Sequence, residues 1–80
     1  MNVTVLLFAS YADALGRPEL ELALPAGSTV RDAIRQVVDL PGTERIPRTP
    51  LIAVNERYAS LDQQLAHGDE LALIPPVAGG

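Results

Sequence analysis

Residues His67 to Gly80 read HGDELALIPPVAGG, and this stretch decides the fold. His67-Gly68-Asp69 has the composition of a tight turn. Glu70 to Ile74 follows as a strand, and its apolar run Leu71-Ala72-Leu73-Ile74 suits a central position with both faces covered or half-covered. Pro75 and Pro76 fix φ near −65° and remove two backbone donors, so the strand ladder should stop at about Ile74. The chain should then leave the sheet stiff and extended. Four residues remain, Val77-Ala78-Gly79-Gly80, with a reach of at most roughly 13 Å. They carry no charge and no side-chain nucleophile. The one reactive group they offer is the α-carboxylate of Gly80. Two glycines without Cβ let the backbone thread a narrow channel in another protein. A small-residue terminus is by default a frayed end; here it follows directly on a Pro-Pro that stops a strand, which favours a presented group. The domain reading is a folded unit over residues 1–76 and a flexible, extended tail over 77–80.

A strand needs neighbours, and the rest of the chain supplies them. Val3 to Phe8 (VTVLLF) is β-branched and apolar, a first strand. Period two puts Val3, Val5 and Leu7 on one face, and Thr4, Leu6 and Phe8 on the other. Phe8, the sole phenylalanine, reads as a core aromatic or as an anchor that faces a partner, the core slightly preferred. Ser10 to Leu15 has room for a short helix capped by Ser10, with Asp13 three residues on and Gly16 as its stop. Glu19 to Leu24 alternates cleanly, with Leu20, Leu22 and Leu24 inward, as in a charged edge strand.

Thr29 and Asp32 form the capping box of one longer helix, about Val30 to Asp39. Val30, Ala33, Ile34, Val37 and Val38 make its apolar stripe. Pro41-Gly42 ends it. Thr43 to Pro50 reads as an irregular loop, Leu51 to Val54 as a third strand, and Tyr58 to Ser60 as a fourth, joined by Asn55-Glu56-Arg57. Leu61 to Leu65 has room for one helical turn.

The 80 residues fit one small domain with a modest core. No cysteine is present, so a disulfide scaffold, a cysteine metal site and a cysteine nucleophile are excluded. A formal net charge of −4 argues against a nucleic-acid partner, which selects a basic face. No apolar run reaches membrane-spanning length. The simplest expectation is a cytoplasmic protein with no membrane or nucleic-acid partner. His67, the sole histidine, reads as an exposed turn residue. Neither a Gly-rich phosphate loop after a strand nor metal-ligand spacing is seen, so neither a metal nor a bound cofactor is expected.

The order strand, short helix, strand, long helix, strand, strand, short helix, strand implies an α+β fold. A mixed sheet of four or five strands carries one long helix packed on one face. This arrangement resembles the β-grasp, ubiquitin-like fold. Within it, VLLFASYADALG (Val5 to Gly16), AGSTVRDAI (Ala26 to Ile34), IAVNERY (Ile52 to Tyr58) and above all HGDELALIPPVAGG resemble the small, sulfur-carrier subunits of molybdopterin synthase. The resemblance implies that Gly80 is adenylated by an ATP-using activating enzyme and converted to a thiocarboxylate by a sulfur donor protein. It implies that Val77, Ala78 and Gly79 insert with Gly80 into the large synthase subunit, in an assembly of two large and two small subunits. Sulfur would pass there to cyclic pyranopterin monophosphate. Phe8, Pro75 and Pro76 are the implied docking residues. ATP would be consumed by the activating enzyme, and the chain would not be catalytic alone. The alternatives are a carrier for thiamine or another sulfur-metabolite pathway, a ubiquitin-like protein modifier, or an inert interaction module.

Overall fold

The structure is a computed structural model in which residues 1–44, 46–47 and 50–75 are described. Seven elements follow one another: β1 (Asn2–Leu7), α1 (Ala9–Leu15), β2 (Glu19–Ala23), α2 (Val30–Val38), β3 (Leu51–Val54), β4 (Arg57–Tyr58) and β5 (Glu70–Ile74). The strands form one mixed sheet in the order β2-β1-β5-β3-β4. β5 pairs parallel with β1 and antiparallel with β3, so the apolar run Leu71 to Ile74 lies at the centre, as its composition requires. β2 is an edge strand, antiparallel to β1, with Glu19 and Glu21 exposed. The architecture is the expected β-grasp one, with five strands.

Register explains the core. Leu20, Val5, Leu71 and Val54 lie in one row across four strands, and Leu7, Leu73 and Ile52 lie in the next. All seven side chains are buried. α2 covers them with Val30, Ala33, Ile34 and Val37, while Val38, at the margin of the stripe, is only half-buried. Its capping box is complete. The Thr29 hydroxyl accepts from the Asp32 N–H, and the Asp32 carboxylate accepts from the Thr29 N–H at 2.9 Å. That backbone hydrogen bond, joined by the Thr29 hydroxyl and the positive charges of Arg35 and Arg31, holds the Asp32 carboxyl below the ordinary aspartate range.

Four expectations need correction. Ser10 does not cap α1: the helix begins at Ala9, Phe8 is the N-cap, and no side chain caps it. The third strand's hairpin turns on Asn55-Glu56 alone, with φ of 50° and 72° as a two-residue type I′ turn demands, so Arg57 pairs with Val54 and the strand ends at Tyr58. Ala59 and Ser60 lie outside it. Leu61 to Leu65 forms no helical turn. After a tight turn at Leu61-Asp62 the segment lies against the start of α2, where the carbonyls of Leu61 and Gln63 accept from the N–H groups of Arg31 and Val30 at 2.9 Å each. These are donors that a helix leaves unpaired at its N-terminus, so satisfying them outweighs a short isolated turn. Finally, Phe8 is not a core residue; it is 47% exposed.

The loop after α2 is also more structured than its prolines suggest. Ile46 enters the core, and the Thr43 hydroxyl lies 2.9 Å from the Val38 carbonyl and 2.8 Å from that of Leu40. One hydroxyl proton thus serves two carbonyls at the helix end, where partners are otherwise lacking.

Candidate functional site

The site is built around the end of β5. Pro75 is half-buried and directly follows Ile74. Pro76, Val77, Ala78, Gly79 and Gly80 lie outside the described residues, so the tail and the domain boundary at 76 are judged from sequence alone.

What the structure places beside the tail's origin is the sheet face opposite the helices. Alternation along each strand decides its membership. Glu19, Leu6, Ala72, Ala53 and Tyr58 form one row across all five strands, read from their pairings. Ile74 and Leu51 are paired in the next row, toward the tail. Phe8 continues β1 in extended geometry, φ −121° and ψ 152°, at this same end. Leu51 is 52% exposed and Tyr58 75% exposed. Phe8, Leu51 and Tyr58 are three of the four large apolar side chains that the described residues leave exposed. Among the described residues, no helix covers this apolar surface. Glu21, Thr4 and Glu70 lie in the row farther from the tail and give that margin an acidic character.

Two features hold this face in place. Ala9 adopts φ 46°, in the left-handed region, immediately after Phe8. The chain turns there from strand to helix, leaving Phe8 at the corner while Tyr11 packs into the core. Burial pushes the Tyr11 phenol above its ordinary value. On the opposite side, Asn55 ties the β3–β4 turn to the start of β5. Its amide donates to Asp69 Oδ1 at 3.0 Å, its Oδ1 accepts from the Glu70 N–H at 3.0 Å, and its N–H donates to the Glu70 carbonyl at 2.8 Å. The Asp69 carboxylate also accepts from the Ala66 N–H at 2.8 Å. The strand that leads into the tail is therefore fixed at its beginning.

Of the sequence-derived docking residues, the structure places Phe8 and Pro75 at the same end of the sheet. Leu51 and Tyr58 were missed. Each sits on the outer face of its strand, a fact that follows only from register. Among the described residues, no group of three or more His, Cys, Asp or Glu side chains could hold a metal ion. No helix of these residues is long and apolar enough to cross a membrane. His67 is exposed, and its Nδ1 accepts from the Asn2 N–H at 3.0 Å, which makes it a partner of the backbone at the start of β1.

The sheet order, with β5 central between β1 and β3, is that of the β-grasp, ubiquitin-like fold. The chain belongs to the ThiS family, whose model matches residues 5–80. It is 37% identical to the molybdopterin synthase sulfur carrier subunit of Arabidopsis thaliana, over all of this chain and 84% of that one. Among solved structures it is similar to SAMP1 of Haloferax volcanii, with TM-score 0.90 and 30% identity over all of both chains. It is also similar to a chain of Pyrococcus furiosus described as molybdopterin converting factor, subunit 1. That match has TM-score 0.81 and 32% identity, over 96% of this chain and 99% of that one.

Proposed function

We propose that this protein is the sulfur-carrier subunit of molybdopterin synthase. The observation that carries the reading is the joining of the P-P-V-A-G-G ending to a rigid central strand beside an uncovered apolar sheet face. Membership of the ThiS family and the name of the Arabidopsis relative support it.

The chemistry follows from the carboxylate. Unactivated, it is a poor electrophile. The Gly80 carboxylate attacks the α-phosphorus of ATP within an activating enzyme; pyrophosphate leaves and a glycyl adenylate forms. Sulfide-level sulfur supplied by a donor protein then bonds to the acyl carbon, the bond from that carbon to the phosphate oxygen breaks, AMP leaves with the electron pair, and a thiocarboxylate results. Its sulfur is the nucleophile delivered to cyclic pyranopterin monophosphate in the large subunit. This chain contributes the tether, which turns an encounter between two molecules into a near-intramolecular step. Val77, Ala78 and Gly79 are the inserted segment. Phe8, Pro75 and Pro76, together with Leu51 and Tyr58, form the docking surface, in a complex of two large and two small subunits. Acid–base groups and phosphate contacts come from the partners.

The test is the intact mass of the protein after incubation with its activating enzyme, ATP and a sulfur donor. We expect a gain equal to replacement of one oxygen by sulfur, located at Gly80. An unchanged mass, under conditions that convert an established carrier, refutes the reading. Deletion of Gly79-Gly80 is expected to abolish molybdopterin formation and leave the thermal unfolding midpoint unchanged.

A further inference from the structure

The sheet has two edges of unequal length: β2 has five residues and β4 only two. Beside β2, the Leu7 N–H donates to the Pro18 carbonyl and the Leu24 N–H to the Met1 carbonyl, each at 2.8 Å. Even-numbered residues of this segment therefore turn their backbone groups toward β1. Antiparallel alternation turns those of Glu19, Glu21 and Ala23 outward. Two of the outward carbonyls are held by exposed side chains. The Arg17 Nε donates to the Glu19 carbonyl at 3.0 Å, and the Gln36 Nε2 donates to the Ala23 carbonyl at 3.3 Å. Among the described residues, no partner takes up the Glu21 carbonyl or the outward N–H groups.

On the helix side of this edge lies an open groove of about 550 Å³. Its apolar walls are Leu15, Leu20, Leu22, Leu40 and Pro41, and Arg17 and Glu21 complete the lining. Leu40, which follows α2, is 38% exposed.

We infer that the free edge of β2 is a docking site for an extended segment of another protein in which basic and apolar residues alternate. Such a segment adds to the sheet as a sixth strand, antiparallel to β2 and hydrogen-bonded to the outward groups. Residues paired across two strands share a face. Those opposite Glu19 and Glu21 therefore stand beside a carboxylate, where lysine or arginine is favoured. The residues between them point to the helix side, into the groove. Charge selects this occupant over a second copy of the chain. Self-pairing centred on Glu21, the register that uses the whole strand, sets Glu21 against Glu21, and like charges placed opposite each other are destabilising. β1 stands between β2 and β5, so a segment bound here leaves the end of β5 uncovered.

The probe is a blocked hexapeptide in which lysine and valine alternate, titrated into the isotope-labelled chain. One control peptide groups the lysines before the valines, and a second keeps the alternation with glutamate in place of lysine. We expect the alternating lysine peptide to bind about ten-fold more tightly than either control. It should also slow hydrogen exchange at the amides of Glu19, Glu21 and Ala23. Glu21→Lys should reverse the preference in favour of the glutamate peptide, and Leu40→Ser should weaken binding of the lysine peptide without lowering the thermal unfolding midpoint. Equal binding of the two lysine peptides, or binding that leaves the three amides unprotected, is charge attraction alone and overturns the inference, as does absence of binding. Protection of these amides without peptide, rising with the concentration of the chain, overturns it in favour of a second copy.

Discussion

Val5 and Leu6 are adjacent in β1, yet they belong to opposite faces of the sheet with different surroundings. Val5 is fully buried in the row Leu20-Val5-Leu71-Val54 beneath the helices. Leu6 lies in the row Glu19-Leu6-Ala72-Ala53-Tyr58, which no helix covers. The covered face is filled with branched aliphatic residues and fixes the fold. The open face mixes alanines, isolated large side chains and an acidic margin, a composition unlike that of a core. One sheet thus separates a packed face from an open one by the parity of residue number.

Substitution can break that separation. The largest effect is expected from Leu73→Ala, which empties a completely buried site in the central strand. It should cost about 3 kcal/mol and lower Tm by roughly 15 °C, read by thermal unfolding. Next, Phe8→Ser and Leu51→Ser on the open face should leave Tm almost unchanged. Each should weaken binding to the large synthase subunit by on the order of 30-fold in titration calorimetry, the scale of an interface anchor. Equal loss of stability from both faces would erase the distinction.

Within the covered face, Thr29→Ala removes a helix cap and should cost about 1 kcal/mol in denaturant unfolding. Its partner Asp32 gives this cap a pH signature. The folded-state value lies below the unfolded one, so the contribution is present above the ordinary aspartate range and is lost as pH falls through the folded value. Asp32→Asn should therefore flatten the acid limb of a stability–pH profile. The smallest expected effect is at the corner between the faces: Ala9→Gly relieves the positive φ and should raise stability by roughly 0.5 kcal/mol after glycine's own entropy cost.

The parts legible in the sequence were those whose causes are local. Thr29, Asp32 and the stripe from Val30 to Val37 announce α2 by spacing alone, and the apolar run Leu71 to Ile74 marks β5 as central. What escaped depended on distant partners. Leu61 to Leu65 has helical room, but its carbonyls are taken up by the start of α2. The Thr43 hydroxyl closes the end of that helix from within a loop that reads as irregular. Glu56 at φ 72° defies its residue type because the hairpin's twist imposes the turn. The composition of the open face required register, since nothing local tells Leu51 from Ile52.

The parallel pairing of β1 and β5 has a mechanical consequence. A pull on the end of β5, balanced by resistance at the start of β1, loads every hydrogen bond of that ladder at once. The bonds are sheared together, unlike those of a hairpin, which unzip one by one under tension. Tension applied to the chain beyond Ile74 therefore falls along the direction in which this small domain is hardest to tear.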